Sequence, residues 1–242
     1  KPDFLDFTKE YEDFKDITLY RSLVMSMRFI AQIVKPEILF PVSYLSTKQA
    51  CPSVKDWNDA LHIAKYLRKT KDDSVWITPI GASMNPVIRV YADASWRIFK
   101  DGTSQGGSAI FIGECKGAIY CSSKKIRAAC GSSTDSEILE VYRSTYTADY
   151  YSEVMKPMGY EPVVIYMQDN TSTISNILSG EPSWDKKRKH INHAIISTNH
   201  FMDETDGVIE STFTKNLYSD YLTKPLQGED FQTQKWISYG RR

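Results

Sequence analysis

Cysteine is scarce in this 242-residue sequence, and its four copies, Cys51, Cys115, Cys121 and Cys130, form no C-x-x-C pair. They read as free thiols in a reducing compartment and offer no thiolate framework for zinc. Net charge is also missing. Thirty Lys and Arg balance thirty Asp and Glu, so global charge predicts no partner, and any nucleic-acid contact must come from local clustering. No apolar run approaches a membrane span. The start, Lys1-Pro2-Asp3, is neither a signal peptide nor an initiating Met, which leads us to expect a fragment or processed piece of something longer. The stretch 101–107, DGTSQGG, lacks a following Gly-Lys-Ser/Thr and reads as a turn rather than a phosphate loop. What is present is ordinary: 41% hydrophobic and 25% charged residues. That is material for one large domain, or a small one and a medium one.

The first third has helical periodicity. Leu19, Leu23, Met27, Ile30 and Val34 share one face, and Pro36 ends that helix. A second apolar segment, 37–45, reads as helical despite Pro41. Ser53 and Asp56 resemble a capping box opening a helix over 53–69, with Trp57, Leu61, Ala64 and Leu67 as its inward stripe. His62 beside that stripe reads as a partly buried packing residue, and Asp72-Asp73 as a solvated turn. From about residue 86 the period changes to two. Strands are expected at 87–95, 108–112 and 117–122, joined by short links as an antiparallel meander. A long helix over 133–155 follows, with Thr134 as its cap and Glu137 three residues on. Then come a strand at 163–167, a helix over 171–178, a helix over 189–204, a strand at 208–213 and a helical turn at 218–222. Phe231, Trp236 and Ile237 mark a tail able to dock back. The order β-β-β-α-β-α-α-β-α implies an α/β fold, a mixed five-stranded sheet with helices on both faces, after a small helical region. We place the boundary between residues 85 and 86.

Four carboxylates sit at meaningful places in that order: Asp93 ending the first strand, Glu137 in the first turn of the long helix, Asp169 directly after the fourth strand, and Asp220 on the last helical turn. Each alone has a plain reading as turn former, cap partner or surface residue. Together in one cleft they would repel, unless hard cations neutralised them. Two such ions are the usual arrangement for cutting a phosphodiester.

From Tyr20 onward the chain resembles the end of the reverse transcriptase and the ribonuclease H domain of copia-type LTR retrotransposon Pol polyproteins. Tyr20-Arg21-Ser22-Leu23-Val24, Lys35-Pro36-Glu37-Ile38 and Tyr66-Leu67 are similar to its blocks beyond the polymerase palm. Tyr91-Ala92-Asp93-Ala94, Ser132–Glu137, Asp169-Asn170, Lys189-His190-Ile191 and Asp220 with Leu222-Thr223-Lys224-Pro225-Leu226 are similar to its later motifs. The resemblance implies a ribonuclease H-like fold in 86–242 and a thumb or connection segment in 1–85. It implies Asp93, Glu137, Asp169 and Asp220 as catalytic, metal-binding residues, with two Mg2+ ions that Mn2+ can replace. It also implies cleavage of the RNA strand of RNA–DNA hybrids during reverse transcription, with the polymerase part of reverse transcriptase as a partner. Cytoplasmic virus-like particles are the location it implies. The sequence departs from the family at Met25, Ser95, Ser136 and Ile138, which leaves room for a domesticated, non-catalytic hybrid-binding or scaffold module. The polymerase's own Asp-Asp turn is absent. Integrases and transposases would be expected to order their acids Asp, Asp, Glu, whereas here the order is Asp, Glu, Asp, Asp.

Substrate contacts are expected from the basic run Lys186-Lys187-Arg188-Lys189, and from Lys124, Lys125 and Arg127 as a second patch. Ser132, Ser133 and Asn170 are candidates for the ribose 2′-hydroxyl. His190, His193 and His200 lie too far apart along one helix to hold a single zinc ion. His190 or His200 is the candidate for proton transfer during product release. Oligomeric state is not legible.

Overall fold

The computed structural model describes residues 11–79, 85–113, 116–181 and 188–241. Helix α1 spans Ile17–Ile33, starting before Leu19 because the Asp16 side chain accepts from the Leu19 amide at 2.9 Å and caps the first turn. Pro36–Ile38 form a 3-10 turn leading into α2, Leu39–Ser46. Pro41 is tolerated there because first-turn amides need no intrahelical partner. Helix α3, Val54–Lys69, opens with the expected reciprocal capping box of Ser53 and Asp56. His62 is exposed rather than partly buried, at the mouth of a cavity of about 460 Å³ that Tyr66, Tyr221 and Lys224 also line.

The strands are β1 Val87–Ser95, β2 Ser104–Ile112, β3 Tyr120–Ile126, β4 Val163–Gln168 and β5 Val208–Ser211. They form one sheet in the order β3-β2-β1-β4-β5. β1 pairs antiparallel with β2, and β2 with β3, while β1–β4 and β4–β5 are parallel. Helices α4 (Ser133–Met155), α5 (Thr171–Ser179), α6 (Lys189–Glu204) and α7 (Gly228–Ser238) complete the chain. α7 is the element into which the aromatic tail folds.

Two strands differ most from the expected bounds. β2 begins at Ser104, so Gly106 and Gly107 lie inside a strand instead of a turn. Both positions exclude a side chain. A Cβ on Gly106 would strike the buried Glu140 carboxylate of α4, and one on Gly107 would come within 2.6 Å of Leu222 Cβ and 2.8 Å of Thr223 Cγ2. β3 begins later than expected, at Tyr120, and runs through Lys124 and Lys125.

The sheet has two covered faces. Ile88, Val90, Ala92, Ile110, Val164, Tyr166 and Ile209 pack against Val141, Ala148, Ile177 and Met202 of α4–α6. On the other face, Tyr91, Ala109 and Phe111 join one continuous core with Tyr20, Val24 and Met27 of α1, Leu39, Val42 and Leu45, and Tyr221 and Leu222. The alternation along β1 follows from the two-residue period of a strand. The helical segment is therefore seated on the sheet. A buried polar seam reinforces it. The Tyr239 hydroxyl lies 2.8 Å from both Glu37 oxygens, the Tyr66 hydroxyl donates to Glu37 at 3.1 Å, and the buried Lys235 ammonium pairs with Asp73 at 2.7 Å. Among the described residues no helix is long and apolar enough to cross a membrane.

Candidate functional site

β1 and β4 are parallel neighbours, so their carboxyl ends open side by side. Asp93 lies near the end of β1, opposite Gly107, and is only 4% exposed. Asp169 follows β4 directly. Gln168 ties these two ends together. Its buried amide donates to the Ala92 carbonyl at 3.4 Å, and its side-chain oxygen accepts from the Asp169 amide at 2.8 Å.

Glu137 reaches the same end from α4. The cap of this helix is Ser132, not Thr134: the Ser132 hydroxyl accepts from the Asp135 amide at 3.2 Å, and Asp135 accepts from the Gly131 amide at 2.9 Å. With Asp135 closing the cap, Glu137 has no capping duty and turns inward. Its carboxylate accepts from the Thr173 hydroxyl at 3.0 Å and hydrogen-bonds the Asn170 side chain.

Asp220 opens a 3-10 turn, Asp220–Leu222, that lies over β2. Gly107 permits the close approach, and the Ser123 hydroxyl fixes it by donating to the Leu222 carbonyl at 2.6 Å. The next two residues enter the site. The Thr223 hydroxyl donates to Asp93 Oδ2. The Lys224 ammonium lies 2.7 Å from Asp220 Oδ1 and 3.4 Å from Asp93 Oδ2.

The acids act on one another. Burial pushes the Glu137 carboxyl up to about 7; the Asn170 and Thr173 hydrogen bonds oppose the shift, and the Asp93 and Asp169 charges add to it. Burial first and then the Asp93 charge push Asp220 up to about 6, against the pull of Lys224. Burial acts to lower the Lys224 pKa, but the Asp93 and Asp220 carboxylates outweigh it and raise it. The cluster is thus one electrostatic unit with an internal cation. Each acid also has its own hydrogen-bond donor, Asp169 receiving the Thr214 hydroxyl at 2.8 Å. Among the described residues no three His, Cys, Asp or Glu side chains stand close enough to hold one metal ion.

The remaining expected site residues are distributed as follows. Ser132 and Asn170 are caps, the latter accepting from the Ser172 and Thr173 amides at 2.9 and 3.3 Å. Ser133 and Lys189 are exposed at the starts of α4 and α6. Arg188 is held by the buried Asp135 carboxylate, so its guanidinium braces the α4 cap. Lys187 lies outside the described residues, as does Lys186. His190 meets the Ala129 carbonyl at 2.7 Å, beside the start of α4. His200 pairs with Glu204 at 3.4 Å and lines a shallow cleft with Tyr142, Tyr146 and Asp149, farther along α4. Thr173, Thr214 and the roles of Thr223 and Lys224 were not anticipated. The spacing of Asp220 and Lys224, four residues apart, was the one readable signal for a pair.

No family model matches the chain. Among solved structures, it is similar to RNase H1 from the halophilic archaeon Halobacterium salinarum NRC-1, at 13% identity, with 57% of this chain and 94% of that chain covered and a TM-score of 0.42. LC11-RNase H1 in complex with RNA/DNA hybrid is similar at 15% identity, 56% and 93% coverage and a TM-score of 0.42. The foamy viral protease-reverse transcriptase dRH in complex with ds DNA is similar at 11% identity and a TM-score of 0.50, covering 88% of this chain and 35% of that one. This last likeness spans more than residues 86–242 alone can supply, so it takes in part of the helical segment. At these identities the likenesses concern fold alone. The chain has a ribonuclease H-like fold: a mixed five-stranded sheet ordered β3-β2-β1-β4-β5 with helices on both faces.

Proposed function

We propose that the chain hydrolyses the RNA strand of RNA–DNA hybrids as the ribonuclease H part of a copia-type retrotransposon Pol polyprotein. In this reading residues 1–85 are the thumb or connection segment of its reverse transcriptase, and the protein works in cytoplasmic virus-like particles. The observation that supports it is the meeting of Asp93, Glu137, Asp169 and Asp220 at one end of the sheet, linked by their mutual charge effects.

The donor set suits Mg2+ or Mn2+, because it is all oxygen and its acids resist ionising together. Asp93, Glu137, Asp169 and Asp220 would hold two ions, which supply an activated water and charge stabilisation for the leaving oxygen of the phosphodiester. The chain's own residues prepare that site. Gln168 keeps the ends of β1 and β4 level, Asn170 and Thr173 aim Glu137, and Thr223 aims Asp93. Lys224 offsets one of the two charges of the Asp93–Asp220 pair. His190, which meets the Ala129 carbonyl just before α4, and His200 are the candidates for a proton-transfer role.

A second reading, a non-catalytic hybrid-binding or scaffold module, is favoured by one feature: the four acids already have hydroxyl or ammonium partners, and no three of the described groups gather round one point. A labelled RNA–DNA hybrid incubated with the protein, with and without Mg2+, separates the two. Magnesium-dependent RNA fragments with 5′-phosphate and 3′-hydroxyl ends are expected. Tight hybrid binding with no cleavage in Mg2+ or Mn2+ would establish the second reading instead.

A further inference from the structure

The C-terminal halves of α4 and α6 lie away from the four acids. Asp149 is about 18 Å farther along the α4 axis than Glu137, at the ordinary helical rise. A cleft of about 220 Å³ opens there between the two helices, with Tyr142, Tyr146 and Asp149 on one side and Phe201 and Glu204 on the other. Ligand pockets for whole small molecules start at about 300 Å³, so this space suits a single long side chain.

Charge of one sign surrounds it. Residues 144–155 and 197–204 carry four acids, Asp149, Glu153, Asp203 and Glu204, and no Lys or Arg. Such a surface repels phosphate backbones and anionic headgroups. Among the described residues Asp149, half-buried in the cleft, has no ion-pair or hydrogen-bond partner, and Glu204 meets the His200 imidazole at 3.4 Å. A carboxylate drawn partly out of water without a partner is costly, and an arriving cation removes that cost.

Aromatic rings form the rest of the wall. Tyr142 is held from two sides, edge-on to Tyr146 with ring centroids 5.3 Å apart and to His193 at 5.6 Å, and its hydroxyl bonds both neighbours. Tyr146 and Tyr150, one turn apart on α4, are each 62% exposed, and Val154 continues the same exposed ridge. Rings with few rotamers to lose make good anchors for a partner. A carboxylate beside ring faces selects guanidinium over ammonium. The guanidinium is planar, stacks on aromatic faces and forks onto carboxylates, whereas the ammonium is a strongly hydrated point charge.

We propose that this cleft receives an arginine side chain from a basic segment of a partner protein. Asp149 and Glu204 take the edge of the guanidinium and Tyr146 its face, while apolar residues flanking that arginine lie on Tyr150 and Val154. This docking does not depend on the nuclease reading.

The test titrates the full 242-residue chain into fluorescein-labelled octapeptides and follows their anisotropy. The peptides alternate glycine with arginine, lysine or citrulline, the last keeping the shape of arginine without its charge. The arginine peptide is expected to bind best and the citrulline peptide not at all. Asp149→Asn should weaken arginine-peptide binding about tenfold, as loss of a charged hydrogen bond does. Tyr146→Ala should weaken it about fivefold through the lost ring face. Tyr146 is exposed and Asp149 is unpaired, so both variants should keep the wild-type melting temperature. Glu229→Gln, on α7 across the sheet, removes an acid elsewhere and should leave the affinity unchanged. No measurable binding of the arginine peptide, equal binding of the lysine peptide, or arginine-peptide binding untouched by both cleft variants overturns the assignment. So does self-association of the wild type in sedimentation equilibrium that Asp149→Asn abolishes, which would give the cleft to a second copy of the chain.

Discussion

The Lys224 ammonium lies 2.7 Å from the Asp220 carboxylate, four residues before it, and from there also reaches Asp93 at 3.4 Å. One flexible cation thus stands between two acids that would otherwise repel. Lys224→Met should leave that repulsion unscreened, lowering the melting temperature in EDTA. The same change should tighten Mn2+ binding, because the ion no longer displaces an ammonium. Lys224 is partly exposed, so the pair is worth of order 1 kcal/mol after screening, or about a fivefold change in metal affinity. Calorimetric titration of Mn2+ into both proteins checks this, and equal or weaker binding by the variant would refute the screening role.

Asp169→Asn should reduce hybrid cleavage below detection while sparing hybrid binding. Asp169 sits at the end of β4 with Thr214 as its donor, and the amide remains able to accept that hydrogen bond, so the fold should persist. Undiminished cleavage by this variant in Mg2+ would refute the site assignment.

In the proposed reading, protons compete with metal for these acids. Glu137 is pushed up to about 7 and Asp220 to about 6, chiefly by burial. Mn2+ affinity should therefore rise steeply between about pH 5.5 and 7 and level off above that, as binding displaces protons. An affinity flat across that window would show that these two acids take no part.

Glu140 is fully buried against Gly106, paired with Arg143 at 2.5 Å, and its carboxyl is pushed up to about 7 by burial, against the pull of Arg143. A carboxyl with a folded-state pKa raised above its unfolded value stabilises the fold below the unfolded value, near 4.5. That stability is lost as pH rises through about 7. Glu140 alone should thus cost the wild type on the order of 1–3 kcal/mol between pH 5 and pH 8. Glu140→Gln should flatten part of that slope, Glu137 and Asp220 accounting for the rest. Urea unfolding at the two pH values measures both.

Gly107→Ala should be costly, since its Cβ would sit 2.6 Å from Leu222 Cβ and 3.1 Å from the Leu222 carbonyl carbon. Overpacking of this kind costs about 1–3 kcal/mol. It should also displace Thr223 from Asp93, so hybrid cleavage should fall more than the lost stability explains. Tyr239→Phe, which removes a hydroxyl from the buried Glu37, should cost about 1–2 kcal/mol with cleavage chemistry intact.

Much of the architecture is written in local patterns. The ends of β1, α4 and α6, and the capping box of α3, follow from periodicity, Ser and Asp caps and Pro and Gly stops, all of which act within a few residues. The order of four acids along the chain is equally local information. A stretch such as Ser104 to Gly107 is different. Its glycines and small polar residues read as a turn because the reason they form a strand, the approach of Glu140 on one side and Leu222 on the other, comes from remote parts of the chain.

The tertiary structure alone decided three things. It turned Glu137 inward, onto the Thr173 hydroxyl and the Asn170 side chain. It brought Thr223 and Lys224 back across Gly107 to Asp93, a contact between residues 130 positions apart. It seated α1–α3 on the sheet, sealed by Tyr239 on Glu37. None of these could be read in advance, because each depends on which surfaces meet. That is set by the summed burial of two faces of one sheet rather than by any residue's own preference.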